Sequence, residues 1–277
     1  MHRTAASIQL RTGVTLQYVE QGDRSGLPMI LLHGYTDSWH SFELLLPHLA
    51  RSVRALALTQ RGHGDSERPL AGYGPQDFAG DVLAFMDALG LERAIIVGHS
   101  GGSYAAQRFA LDHPNRTLGL VLIGTFRAFD NPDVLEFAEA VSQLTDPIDP
   151  DFVREFQEST LTRPVPADFF ERIVAESRKL PARVWRSYLG SYVEAEVPTE
   201  SGVITAPTLI MWGDGDLYCR REDQDTLVEA IPAARLSVYE GTGHCPHWEE
   251  PARTAAEIVA FARGVARPDV SRPAVAA

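Results

Sequence analysis

Gly98-His99-Ser100-Gly101-Gly102 sets a serine inside a glycine frame. It directly follows the apolar run Arg93-Ala94-Ile95-Ile96-Val97 and precedes Tyr104-Ala105-Ala106-Gln107-Arg108-Phe109-Ala110. The first flank has the length and β-branched content of a short buried strand, and the second the composition of a helix. A sharp strand-to-helix turn needs minimal side chains where backbones crowd, and it lifts the central hydroxyl clear of the sheet. The Gly101 N–H, at the start of that helix, is placed to donate to an oxyanion formed by Ser100 attack. A serine that merely caps its helix fits the same five residues, so the rest of the chain decides.

Working outward, strand and helix alternate. Ser7 to Gly22 alternates apolar and polar residues around Gly13 and predicts a hairpin. Pro28 to Leu32 is a continuous apolar run ending in His33-Gly34, as expected of a strand buried on both faces. The pattern then predicts a helix over Ser41–Ala50, a strand over Val53–Thr59, a helix over Gln76–Leu89, the Arg93–Val97 strand and a strand over Gly119–Gly124. That rhythm describes an α/β fold with a mostly parallel sheet and helices on both faces. From Arg127 to Val203 it breaks into helical stretches between prolines, over Val134–Leu144, Asp151–Glu158, Asp168–Lys179 and Ala182–Val193. Strands over Pro207–Trp212 and Ala234–Tyr239 and helices over Glu222–Ala230 and Thr254–Arg263 complete the pattern. The expected layout is a core of residues 1–126 and 204–264, an inserted helical cap over 127–203, and a disordered tail over 265–277.

A serine hydroxyl is a weak nucleophile and needs a general base, itself oriented by a carboxylate. Gly213-Asp214-Gly215-Asp216 follows the Pro207–Trp212 strand, and Gly241-Thr242-Gly243-His244 follows the Ala234–Tyr239 strand. Ser100, Asp216 and His244 would thus gather beyond the carboxyl ends of parallel strands, with Asp214 as the alternative acid. His33-Gly34-Tyr35 ends an earlier strand, and the Tyr35 N–H is the candidate second oxyanion donor. His33, His63, His99, His40, His48 and His113 are given structural or solvent roles. Cys219 and Cys245 fit neither a disulfide framework nor a zinc-ligand spacing, so no metal is expected.

Composition narrows the partners. With 277 residues, 44% hydrophobic content and a formal charge of -12, the chain suits a globular protein acting on a small neutral molecule. Nucleic acid and anionic membrane surfaces call for a basic face. No apolar run reaches membrane-spanning length, and the start lacks a secretory core, so the expectation is a cytoplasmic protein. Nothing in the sequence sets the oligomeric state.

In order along the chain, Leu32-His33-Gly34-Tyr35, Gln60-Arg61-Gly62-His63-Gly64-Asp65-Ser66, Gly98-His99-Ser100-Gly101-Gly102, Gly213-Asp214-Gly215-Asp216 and Gly243-His244 resemble the α/β-hydrolase superfamily, over about Ser7 to Arg263. The resemblance implies an eight-stranded sheet, a helical cap after the sixth strand, a Ser100–His244–Asp216 triad and no cofactor. The front half looks like the epoxide hydrolase and haloalkane dehalogenase branch, whose enzymes carry aspartate at the elbow. Serine there would give a stable ether with an alkyl carbon, which restricts the chemistry to acyl transfer. The expected activity is a carboxylic ester hydrolase. A lactonase, a cofactor-free perhydrolase of the haloperoxidase type and a carbon–carbon bond hydrolase are the alternatives with the same triad, and a non-enzymatic ligand receptor is the alternative from another class. Phe126, Phe129, Phe137, Trp185, Tyr188 and Tyr192 are the candidates for lining the pocket.

Overall fold

A computed structural model describes residues 3–266. Its strands are β1 (Arg3–Gln9), β2 (Thr15–Gln21), β3 (Leu27–Leu32), β4 (Val53–Thr59), β5 (Ala94–His99), β6 (Thr117–Ile123), β7 (Thr208–Gly213) and β8 (Ala234–Tyr239). They form one eight-stranded sheet in the order β1-β2-β4-β3-β5-β6-β7-β8. The β1/β2 hairpin and the β2/β4 pair are antiparallel, while β4-β3-β5-β6-β7-β8 are parallel. From β3 the chain moves outward to β4, then returns to the other side of β3 as β5. This reversal opens a crevice at the carboxyl ends of β3 and β5.

Period-two alternation sorts the strand residues into two cores. Ile30, Leu32, Leu56, Leu58, Ile96, Leu122 and Ile210 face one side. There they pack against Val82 and Phe85 of α1 (Pro75–Ala88), Phe109 of α2 (Gly101–Asp112) and Leu227 from the helix after β7. Met29, Leu31, Ala57, Ile95, Val97, Val121 and Met211 face the other side, with Ile258 and Phe261 of the C-terminal helix. Each of the larger side chains, withdrawn from water, contributes about 1.5–3 kcal/mol, and a polar residue in its place would forfeit it.

Between β6 and β7 lie α3 (Pro132–Ser142), α4 (Pro150–Glu158), α5 (Ala167–Ser177), α6 (Ala182–Val193) and α7 (Pro198–Ser201). All five open on a proline, at the first helical position in α3, α4 and α7 and immediately before it in α5 and α6, which ends the preceding loop. After β7 come α8 (Arg221–Ala230), α9 (Pro246–Glu249) and α10 (Pro251–Ala266). Two expectations need correction. The helix over Ser41–Ala50 is replaced by tight three-residue-per-turn segments at Trp39–Phe42 and Leu46–His48. Pro47 cannot donate a backbone hydrogen bond, so the stretch does not run on as one α-helix. At the other end α10 runs to Ala266, so the tail expected from residue 265 does not begin there, and residues 267–277 lie outside those described. No helix among the described residues is long and apolar enough to cross a membrane.

Candidate active site

The turn between β5 and α2 holds Ser100 at φ 52° and ψ -126°, a conformation that costs an L-residue on the order of 1–3 kcal/mol. Crowding on both sides enforces it. A Cβ at Gly98 would collide with the Gly102 carbonyl and the Ser103 backbone, and one at Gly102 with the His33 and Leu32 carbonyls. The strained residue is tied in place by its N–H on the Ile123 carbonyl (2.9 Å), while its own carbonyl accepts from the Ser103 N–H (2.8 Å).

Asp216 and His244, the candidate acid and base, stand on the loops after β7 and β8. Asp216 Oδ1 accepts from the N–H groups of Tyr218 (2.8 Å) and Cys219 (3.0 Å), which fixes the carboxylate. Its Oδ2 lies 2.8 Å from His244 Nδ1, with both side chains almost wholly buried. Nδ1 therefore carries the hydrogen and donates, leaving Nε2 as the basic nitrogen. Asp214 instead accepts from the Gly241 N–H and knits the two loops together. Ser100 and His244 line one cavity, and no hydrogen bond joins their side chains among the described residues. Such bonds commonly close only when substrate binds.

The backbone N–H of Gly101 sits in the first turn of α2, where helical donors have no intrahelical partner. That of Tyr35, in the loop after β3, likewise donates to no acceptor among the described residues. The loop is held from below by His33, whose Nε2 accepts from the Gln60 N–H (3.0 Å) and whose Nδ1 meets the Gly34 carbonyl (2.8 Å). From above, Tyr35 donates its hydroxyl to the Trp185 carbonyl (2.7 Å).

About 540 Å³ of space lies between the lining residues, open solvent at the mouth included. Of the expected lining residues, Phe126, Phe129, Phe137 and Tyr188 face it. Trp185 and Tyr192 do not; they pack behind the lining, Trp185 against Tyr35 (5.1 Å between ring centroids) and Phe156 (5.7 Å), Tyr192 against Tyr188 (4.2 Å). Aromatic residues at helical spacing on α6 thus divide between cavity wall and interior. Sequence reading passed over a polar side of the cavity made by Asp37, His99, Gln157 and Thr160. Burial pushes the Asp37 carboxyl up to about 7, against the opposing hydrogen bonds from Ser41 and Gln157. The signal for Gln157 was present: it stands four residues after the buried Val153, a polar side chain on an inward helical stripe.

Cys219 and Cys245 are buried free thiols, near His244 Nδ1 (3.9 Å) and His99 Nε2 (3.6 Å) respectively. Asp216, Cys219 and His244 offer potential metal-ligand atoms within 4.8 Å of one another. Asp216 and His244 are spent on each other, and burial pushes the Cys219 thiol up, away from the thiolate a metal requires.

Comparison with known proteins agrees with this architecture. The soluble epoxide hydrolase of Corynebacterium sp. (strain C12) is 37% identical over 101 residues, covering 36% of this chain and 35% of that protein. The matched stretch therefore spans about a third of that curated relative's length. Human epoxide hydrolase 4 is 23% identical over 273 residues, covering 87% and 73% of the two chains. The esterase EaEST from Exiguobacterium antarcticum superposes with a TM-score of 0.84 at 24% identity, covering 94% of this chain and 100% of its own. The sequence profile of the alpha/beta hydrolase fold matches residues 28–251, from the first parallel strand to the start of the last helix. With the sheet order, the strained turn after β5 and that match in agreement, the chain belongs to the α/β-hydrolase superfamily.

Proposed function

We propose that the chain is a serine hydrolase that cleaves carboxylic esters of a small, uncharged, largely apolar substrate. The carrying observation is that the strained Ser100 shares one aromatic-walled cavity with a His244 already oriented by Asp216. In this reading Ser100 Oγ attacks the carbonyl carbon as its proton passes to His244 Nε2. The oxyanion is held by the N–H groups of Tyr35 and Gly101. His244 then gives that proton to the departing alcohol oxygen, leaving an acyl ester on Ser100. Water, deprotonated by His244, cleaves the ester to release the acid and restore the serine.

The elbow residue separates this activity from the one in the names of the sequence relatives. A serine attacking an epoxide carbon would form an ether with no carbonyl for water to attack, so turnover would end there. An acyl group on the same oxygen remains cleavable.

Labelling with a fluorophosphonate probe and turnover of a p-nitrophenyl ester series beside a panel of lactones test the proposal. The wild-type chain should label once, at Ser100. Ser100→Ala should abolish labelling and lower kcat by about 10⁴-fold or more, and His244→Ala should suppress both. Folded protein that neither labels nor hydrolyses any ester would overturn the reading, and preference for lactones over every open ester would replace its substrate class.

A further inference from the structure

The Tyr188 hydroxyl is an unpaired polar group among the described residues. Tyr188 is buried on α6 and lines the cavity with Ser100, and its hydroxyl has no hydrogen-bond partner among the described residues, although buried polar atoms are almost always paired. The Tyr192 hydroxyl is also without a hydrogen-bond partner among the described residues, so the two tyrosines do not satisfy each other. Burial pushes the Tyr188 phenol well up, which keeps its proton on the oxygen at every working pH.

The ring cannot turn away to find water. It stacks on Tyr192 with centroids 4.2 Å apart and touches Tyr35 (5.0 Å), Phe78 (5.2 Å) and His63 (5.5 Å). Its hydroxyl oxygen occupies the space that a side chain at position 101 would fill: a Cβ built on Gly101 falls on it, far inside contact distance. The absence of a side chain at Gly101 therefore admits a hydroxyl from a helix of the β6–β7 insertion next to the residue that follows Ser100.

We propose that Tyr188 is a catalytic residue whose hydroxyl donates a third hydrogen bond to the substrate's carbonyl oxygen as it becomes the oxyanion, beside the N–H groups of Tyr35 and Gly101. This rests on the serine-hydrolase reading. A donor of this kind acts on the charge that develops in the transition state, so its loss appears in kcat with little effect on KM. Because the hydroxyl bonds to nothing among the described residues, its removal leaves the folded state as stable as before or more so.

Tyr188→Phe keeps the ring and deletes only the hydroxyl. With a p-nitrophenyl ester it should lower kcat roughly 10- to 100-fold, hold KM within about threefold, slow fluorophosphonate labelling of Ser100 in parallel, and leave Tm unchanged or raised. An unchanged kcat, a rise in KM alone, or a fall in kcat accompanied by a lower Tm would each overturn the role. Wild-type activity is read in the same assay. Its presence together with an indifferent variant sinks this inference alone, and its absence sinks the serine-hydrolase reading and this role with it.

Discussion

Asp37 is a carboxyl group kept from the water that would let it ionise. Ser41 donates to its Oδ2 (3.1 Å) and Gln157 to its Oδ1 (3.2 Å), and His99 Nδ1 lies 3.9 Å away without a hydrogen-bond partner. These contacts do not offset burial, which raises the group from 3.8 to about 7. The folded chain thus holds a proton that the unfolded chain releases above about pH 4. Stability from this group is complete below that pH and is lost as pH rises toward 7, by up to about 1.4 kcal/mol per unit. Asp37→Asn keeps an acceptor for Gln157 and cannot ionise. Its stability relative to wild type, measured by urea unfolding, should rise by more than about 1 kcal/mol between pH 5 and pH 8. A difference that stays flat across that range would show that Asp37 is ionised throughout. The serine, acid and histidine stand out in the sequence because glycine-rich turns after apolar runs announce strand ends. Asp37 carries no such mark: an aspartate beside a serine in a loop reads as turn chemistry, and only the packing of α4 above it reveals the burial.

At the scale of elements, the loop after β3 is gripped by three helices of the β6–β7 insertion. From α4, Gln157 Nε2 reaches Thr36 Oγ1 (3.2 Å), Asp37 Oδ1 (3.2 Å) and Ser177 Oγ (2.9 Å), the last on α5. Thr36 also donates to Ser177 Oγ (3.0 Å), and Tyr35 reaches the carbonyl of Trp185 on α6. The grip matters because Thr36 sits at φ 66°, a strained position for a β-branched residue, next to the Tyr35 amide. Gln157→Leu removes the clasp at similar volume and strands its buried partners. The expected cost is about 1–3 kcal/mol in urea unfolding, with kcat reduced severalfold. Unchanged stability and turnover would mean that the loop holds its shape unaided. Helix positions in this region were legible because prolines mark the breaks. The short α7 and α9 were not, since four residues give no periodicity to detect.

For the whole molecule, the buried strands could be read from their apolar runs, but their order could not. Placing β3 between β4 and β5 depends on pairings such as Leu31 with Ala57 and with Val97, whose partners lie far along the chain. That order gathers histidines in the interior. Burial lowers His33 and His99 well below 6.5, His63 to about 4 and His247 to about 3. Each stays neutral in the folded chain and takes up a proton on unfolding once pH falls below 6.5, so its stability contribution is present above that pH and lost beneath it. Four histidine protons taken up against one released by Asp37 make the net about three, or up to about 4 kcal/mol per pH unit. Set against a typical net stability of about 5–15 kcal/mol, this predicts cooperative acid unfolding between about pH 6 and pH 4. Urea unfolding at pH 7, 6 and 5 checks it; a loss under about 1 kcal/mol across that span would contradict neutral buried histidines.

The pairing of β6 with β7 carries a consequence for divergence. Val121 stands opposite Leu209 and Ile123 opposite Met211, so the chain leaves the sheet for α3 and re-enters it from α7 one strand-width away. The sheet registers only that the two ends meet, and doubling the excursion between them costs about 0.6 kcal/mol of closure entropy. The segment that walls the cavity can therefore be exchanged as a cassette, with new substrates acquired by replacement of α3–α7 while the strands that carry serine, acid and histidine keep their register.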